Sequence, residues 1–131
     1  SLVCGYFLIK IYEFNQDISP FYIVLLVWYP CFENLFSIIR KFNSKRSPMF
    51  ADNNHLHQLI FFLLKKKIKL KKINYNNLAS FLILIFNFFI LIIGTIKPNN
   101  TQLQIFLISI NIITYLIVYF RIFSIKYRIK F

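Results

Sequence analysis

Carboxylates and histidines are scarce in this chain. Its 131 residues include four Asp and Glu, two His, and 16 Lys and Arg, for a formal net charge of +12. Both histidines, His55 and His57, and one carboxylate, Asp52, fall in a polar island at residues 46–58, between long apolar runs. Ligands for a phosphorylated substrate or a metal can gather here and almost nowhere else, so any chemistry is expected in this island.

Cysteine is also scarce, and several familiar patterns are missing. Cys4 and Cys31 lie in apolar segments, where free cysteine behaves as a small hydrophobe, and their spacing gives neither a disulfide nor a metal-site partner. The His-Glu-x-x-His pattern of zinc helices is absent, which argues against a metal site built from protein ligands alone. The start lacks the basic segment and cleavage pattern of a secretory signal. No internal repeat or separate soluble domain is evident.

Apolar residues dominate what is present. The chain is 58% hydrophobic and 20% aromatic, with a mean hydropathy of +0.61, more than an ordinary soluble domain of this size can bury. We therefore expect one all-α domain over residues 1–131, a polytopic membrane helical bundle. Four spans are predicted at residues 2–14, 21–39, 78–96 and 103–120. The first is short, because a bilayer core needs about 20 apolar residues in a helix.

The basic residues predict the topology. Residues 40–77 form the longest polar connection and carry ten of the 16 cationic residues, and the tail carries four more. The positive-inside rule therefore places this loop and the C-terminus in the cytoplasm, and with four spans Ser1 lies on the same side. The cations stand in blocks beside apolar runs and not along one polar face, so the membrane interpretation is favoured over nucleic-acid binding.

The histidine loop leads into a predicted amphipathic helix. Apolar residues recur at helical spacing at Leu56, Leu59, Ile60 and Leu63. Asp52, Asn53 or Asn54 can cap this cytoplasmic helix. A helix N-terminus favours a phosphate or diphosphate in front of it, and the neighbouring anion-binding candidates are Lys45, Arg46 and Ser47.

Side-chain direction separates the two histidines. Residues two apart on a helix point to different faces, whereas His55 and Gln58, three apart, share one. Glu33 is the residue of the second span whose burial in a membrane costs the most free energy. Pro30 is expected to bend the same span. It is either functional or bonded to neighbouring helices and water.

Three stretches carry a resemblance to a known family. Ser47-Pro48, Asp52 and His55-Leu56-His57 follow a span that ends in Arg40-Lys41. This arrangement resembles the last cytoplasmic loop of the polyprenyl-phosphate N-acetylhexosamine-1-phosphate transferases, glycosyltransferase family 4, relatives of the phospho-N-acetylmuramoyl-pentapeptide transferase. The family has Phe, Ile and a third His where this chain has Met49, Leu56 and Gln58. Trp28-Tyr29-Pro30 through Glu33, and Ser1-Leu2 with Gly5, resemble other segments of the family.

The resemblance implies a function. The family moves a sugar 1-phosphate from a UDP-N-acetylhexosamine to a polyprenyl (undecaprenyl) phosphate, which initiates cell-envelope glycan synthesis at the plasma membrane. Substrate-holding residues carried over by position are His55, His57, Gln58, Asp52, Arg46 and Ser47. Mg²⁺ and the lipid phosphate would be held mainly by aspartates of earlier loops, so the chain is expected to be the C-terminal part of a longer enzyme and inactive alone. Gln58 cannot be protonated, although it can still donate to phosphate. A homodimer is one possible oligomeric state, which the sequence does not determine.

Two alternatives stand beside this hypothesis. A non-enzymatic multi-span protein, such as a scaffold or transporter fragment, would use the histidines only for structure. A membrane-bound metal carrier would use His55 and His57 as ligands. Single residues also have structural interpretations: Asp52 as a helix cap, and Arg46 as a positive-inside residue.

Overall fold

The described part of the chain consists of helices joined by short turns. The computed structural model describes residues 2–43, 54–68 and 74–127, which form five α-helices and no strand. They are α1 Leu2–Phe14, α2 Pro20–Asn43, α3 Leu56–Lys67, α4 Tyr75–Ile96 and α5 Thr101–Tyr127. The predicted all-α class is confirmed.

Three of these helices are long and apolar enough to cross a membrane. They are α2, α4 and α5, with 24, 22 and 27 residues and mean hydropathies of 1.6, 2.6 and 2.1 over their most apolar windows. At about 1.5 Å per residue each exceeds the roughly 30 Å of a bilayer core. The chain therefore has the helices of a membrane protein.

The prediction of four spans is wrong for the described part of the chain, which provides three. The 13 residues of α1 cover only about 20 Å, less than a bilayer core. No side chain from Val3 to Phe14 is buried. The expected return of Ser1 to the side of the histidine loop depended on a fourth crossing, and Ser1 itself lies outside the described residues.

Contacts at the start of α2 define the two ends of the bundle. The Ser19 N–H donates to the Pro98 carbonyl at 3.1 Å, and the Ser19 and Thr101 hydroxyls lie 3.0 Å apart. The start of α2 therefore lies beside the α4–α5 turn, at what we call the turn end. The last turn of α2, with Arg40 and Lys41, lies at the opposite end, where α3 packs against α4 and α5. We call this the histidine end.

The three long helices approach closely at Gly94. A Cβ atom there would lie 2.6 Å from Leu25 Cδ2 of α2 and 3.2 Å from Gln104 Oε1 of α5. The buried Gln104 amide donates to the carbonyls of Gly94 and Lys97 at 2.9 and 3.0 Å. Small residues and interhelical hydrogen bonds are the usual means by which membrane helices associate. Gly94 and Gln104 thus fix α4 against α5 near the turn end.

One face of α5 forms the centre of the bundle. Its buried residues, which follow each other at helical spacings of three and four, are Gln104, Leu107, Asn111, Tyr115, Tyr119 and Ile122. The rings of Tyr115 and Tyr119 meet α2 edge-on, with centroids 5.0 Å from Phe32 and 4.8 Å from Phe36 respectively. Such edge-to-face pairs add to the stabilisation from burial. This interface positions Tyr115 opposite Glu33.

Candidate functional site

The helix predicted after His55 is present as α3. It begins at Leu56, with His55 in extended conformation at the N-cap position (φ −64°, ψ 148°). Leu56 and Leu59 are buried, and Ile60 and Leu63 pack against the core. The apolar side of α3 therefore points into the bundle, and its N-terminus is brought against α2 and α5.

Glu33 of α2 is the centre of the site. Its Oε1 lies 3.0 Å from His55 Nδ1 and accepts the Leu56 backbone N–H at 3.0 Å. Its Oε2 accepts the Tyr115 hydroxyl at 2.7 Å. One carboxylate thus joins α2, the start of α3 and α5, and we call Glu33, His55, Leu56 and Tyr115 the carboxylate cluster.

Burial explains why Glu33 has so many donors. The residue is 9% exposed and lies inside a candidate span, where an unpaired charge is very costly. A buried carboxylate is tolerated when good geometry and several hydrogen bonds replace its hydration. The Leu56 N–H and the Tyr115 hydroxyl donate two such bonds, and His55 Nδ1 lies within hydrogen-bond distance. Of the two roles expected for Glu33, bonding to neighbouring elements is therefore observed.

His55 is held on one side of its ring only. Its side chain is one-third exposed, and Nδ1 is the nitrogen that faces Glu33. Within the described ranges, no hydrogen-bond partner is found for Nε2. This nitrogen is therefore the one whose hydrogen-bonding capacity is left for a ligand.

His57 points elsewhere, as its two-residue separation from His55 predicts. Its Nε2 lies 2.9 Å from Asn76 Oδ1, near the start of α4. The ring also borders a groove formed with Pro30, Ser80 and Leu84. The structure therefore does not bring the two predicted histidines together.

The capping of α3 differs from the prediction. Asn54 was one expected cap, but His55 occupies the N-cap position, and Asn54 Oδ1 accepts instead from Lys126 Nζ and the Tyr127 hydroxyl, each at 2.8 Å. The Gln58 Oε1 accepts the His55 N–H at 3.4 Å. Predicted caps Asp52 and Asn53 lie outside the described residues. The first N–H of α3 bonds to Glu33, which neutralises part of the positive end of the helix dipole.

Four of the predicted ligands lie outside the described residues: Lys45, Arg46, Ser47 and Asp52. Arg40, at the end of α2, places its guanidinium 5.5 Å from the Phe36 ring centroid and 5.3 Å from that of Tyr119, within the range of cation–π attraction. Of the six substrate-binding candidates, the structure describes His55, His57 and Gln58, and only His55 joins the carboxylate cluster.

The described residues do not form a magnesium site. Residues 2–43, 54–68 and 74–127 contain no group of three or more His, Cys, Asp or Glu side chains that could hold a metal ion. Both oxygens of Glu33 already accept hydrogen bonds from protein donors. Mg²⁺ prefers oxygen ligands in octahedral geometry, which the carboxylate cluster cannot offer without breaking these bonds.

Comparisons with known proteins do not identify a family. No family model, curated protein or solved structure matches the chain significantly. The site is therefore interpreted from its own geometry.

An apolar cavity adjoins the carboxylate cluster. It has a volume of about 220 Å³, and both Leu56 and Tyr115 contribute to its wall. Leu82, Phe86 and Val118, which also line it, are exposed on the outer surface of α4 and α5. The cavity is thus open towards the surface that faces lipid in a membrane.

The sequence did not lead us to predict the contact of Tyr115 with Glu33 or that of Asn54 with the end of α5. A signal for Tyr115 existed: Gln104, Asn111 and Tyr115 recur at spacings of seven and four in an otherwise apolar segment. Polar residues on one face of a membrane helix point to the bundle interior. The contact between Asn54 and the end of α5 had no comparable signal, because it joins residues 72 and 73 positions apart.

Proposed function

We propose that this chain provides the substrate-holding half of a membrane sugar-1-phosphate transferase. The donor would be a UDP-N-acetylhexosamine and the acceptor a polyprenyl phosphate. An oxygen of the lipid phosphate attacks the phosphorus that carries the sugar, a new P–O bond forms, and the bond to the bridging diphosphate oxygen breaks so that UMP leaves. The products are a lipid diphospho-sugar and UMP.

One observation carries this proposal. Two of the stretches that carry the resemblance, one ending at Glu33 and one containing His55, meet in the structure, where these two residues, 22 positions apart, are in direct contact. A fixed imidazole that follows Lys45 and Arg46 closely in the sequence suits recognition of a diphosphate, because charge-assisted hydrogen bonds to phosphate are strong. The role expected for the α3 N-terminus is reduced, since Glu33 already bonds to the Leu56 N–H.

Two further features agree with the proposal. The apolar cavity beside Leu56 and Tyr115 opens between α4 and α5, where the hydrocarbon chain of a lipid substrate can enter. The histidine end carries Arg40, Lys41, Lys65 and Lys126 among its described residues, which favours a cytoplasmic position for this end in a plasma membrane. A cytoplasmic position would give it access to a nucleotide sugar.

Magnesium is part of the proposal only because the family that this chain resembles uses it. When bound, Mg²⁺ would neutralise diphosphate charge during transfer. The described residues of this chain do not provide its ligands, and the proposal assigns them to aspartates that the family carries in other cytoplasmic loops. The part assigned to this chain is to hold the substrate through His55.

The test is a transfer assay in membranes that contain the chain in its natural genetic context. Labelled UDP-N-acetylhexosamine and polyprenyl phosphate are supplied, and the lipid-linked product is measured. We expect His55→Ala to lower transfer by a factor of about 10², the usual effect of removing one positioned group at such a site. Lys65→Ala, which removes an exposed cation from α3, serves as the control and should change transfer less than twofold. Equal activities of the two variants, or no transfer by the native protein, would reject the proposal.

The structural alternative also has a specific observation in its favour. His57 bonds to Asn76 and Gln58 bonds to the His55 N–H, so both residues have local structural roles. In a non-enzymatic multi-span protein, the carboxylate cluster would serve only to join three helices. Retention of all transfer activity in a His55→Ala variant that folds normally would favour this alternative.

A further inference from the structure

We propose that Glu33 is a positioning residue that fixes the tautomer of His55, so that Nδ1 carries the proton and Nε2 is presented to the ligand. The carboxylate is an acceptor only, and Nδ1 lies 3.0 Å from its Oε1. The hydrogen bond made by one imidazole nitrogen determines the state of the other. In neutral His55 the lone pair is therefore on Nε2.

The surroundings keep the carboxylate in place. Oε1 also accepts the Leu56 N–H, and Oε2 accepts the hydroxyl of Tyr115, a residue that is 3% exposed. The Leu56 N–H belongs to the residue that follows His55, so the backbone and the ring of the N-cap are fixed by the same oxygen atom. Rotation of Glu33 away from His55 would leave two buried donors without a partner, which is costly.

The second histidine provides an internal control. His57 Nε2 faces the amide oxygen of Asn76 at 2.9 Å, so in neutral His57 the proton is expected on Nε2. Free histidine in water also favours this Nε2–H form. The two histidines of one chain are thus assigned opposite tautomers, and only that of His55 depends on Glu33.

The consequence for function rests on the proposed function. With Nδ1 held by Glu33, Nε2 of the imidazolium would donate directly to a diphosphate oxygen. In the neutral ring, Nε2 would instead accept from a water molecule bound to the diphosphate. Glu33 itself does not touch the substrate. Its contribution is to select which ring nitrogen does.

The test is ¹⁵N NMR of the chain in lipid nanodiscs, with histidine as the labelled residue. Protonated and unprotonated ring nitrogens have well-separated shifts, and a His57→Gln variant assigns the two rings. Spectra are recorded at about pH 9, above the ordinary histidine pKa of about 6.5. We expect Nδ1–H for His55 and Nε2–H for His57. An Nε2–H form of His55 in the native chain would overturn the proposal.

Two variants then test the role of Glu33. Glu33→Gln keeps an acceptor oxygen for His55 and Leu56 and an amide that can donate to Tyr115, so the Nδ1–H form should persist. Glu33→Ala should return His55 to the Nε2–H form and leave His57 unchanged. An unchanged His55 spectrum in folded Glu33→Ala would overturn the proposal. If that variant does not fold, the native and Glu33→Gln spectra still decide, because an Nε2–H form in either contradicts it.

The transfer assay separates this inference from the proposed function. Glu33→Gln should keep most of the transfer that Glu33→Ala loses, because it also keeps the Nδ1–H form of His55 that Glu33→Ala loses. Loss of transfer in Glu33→Ala with the Nδ1–H form retained would overturn the positioning role and leave the proposed function standing. No transfer by the native protein would reject the proposed function, while the nitrogen spectra would still decide the tautomer.

Discussion

Glu33→Ala is expected to be among the most destabilising substitutions in the chain. It removes the acceptor of the Leu56 N–H and the Tyr115 hydroxyl, whose residues are 6% and 3% exposed. Each buried donor left without a partner costs about 1–3 kcal/mol. The one-third exposed His55 side chain can bond to water instead. For these two neutral donors we therefore expect a loss of about 2–6 kcal/mol in the free energy of unfolding.

Tyr115→Phe tests one bond of the same cluster. It removes the hydroxyl that donates to Glu33 Oε2, while Oε1 keeps its contacts with His55 and Leu56. Interhelical hydrogen bonds in membrane proteins average about 0.6 kcal/mol and reach about 1.7 kcal/mol, and the charged acceptor places this one in the upper part of that range. The expected loss is about 1–1.5 kcal/mol.

The double variant is the sharper measurement. In Glu33→Ala the hydroxyl of Tyr115 is buried without its partner, and adding Tyr115→Phe removes that hydroxyl. The double variant should therefore be more stable than the sum of the single losses predicts, by about 1 kcal/mol or more. Unfolding in mixed detergent micelles can be followed by the fluorescence of Trp28, which is buried and is the single tryptophan of the chain. Losses that add to within about 0.3 kcal/mol would refute the assigned bond.

Two other expectations follow from the packing and the topology. Gly94→Ala should cost about 1–3 kcal/mol, because its Cβ would lie 2.6 Å from Leu25 Cδ2, whereas Gly5→Ala, with no atom within 4 Å, should be neutral or slightly stabilising in the same unfolding assay. Equal effects would show that α2, α4 and α5 do not meet at Gly94. In a chain with Cys4 and Cys31 replaced by Ser, a membrane-impermeant maleimide added to intact cells should label Asn99→Cys in the α4–α5 turn and not Lys65→Cys in α3. Labelling of both from outside would contradict three spans, and labelling of Lys65→Cys alone would reverse the proposed orientation.

Local sequence patterns predicted the helices better than their ends. The predicted spans at residues 21–39, 78–96 and 103–120 became Pro20–Asn43, Tyr75–Ile96 and Thr101–Tyr127. Hydropathy detects an apolar run, whereas a helix continues through charged residues once it leaves the apolar region. Arg40 and Lys41 therefore belong to α2, and Lys126 to α5. The same limit led to the error over α1, where apolar composition was clear but length was not sufficient for a span.

The site was predicted in parts and not as a whole. Glu33 was singled out because a carboxylate in an apolar run needs partners, and His55 because it stands in the polar island. Their contact, and that of Glu33 with Tyr115 at a separation of 82 residues, depends on how α2, α3 and α5 pack. Helical periodicity indicates which face of each helix is buried, but not which residue of another helix lies opposite. Asp52, Arg46 and Ser47 stay predictions, since they lie outside the described residues.

The double use of Glu33 has a consequence for any mutational study of this site. The same oxygen atom bonds to the ring of His55 and to the first backbone N–H of α3. Loss of activity in Glu33→Ala could therefore arise from an unfolded helix start or from a misdirected imidazole. Glu33→Gln separates both of these geometric effects from an effect of charge, because it keeps the acceptor oxygen for His55 and Leu56 and removes the negative charge. If it retains stability and the Nδ1–H form yet loses transfer, the proposed reaction requires the negative charge of Glu33 and not only the geometry that this residue imposes.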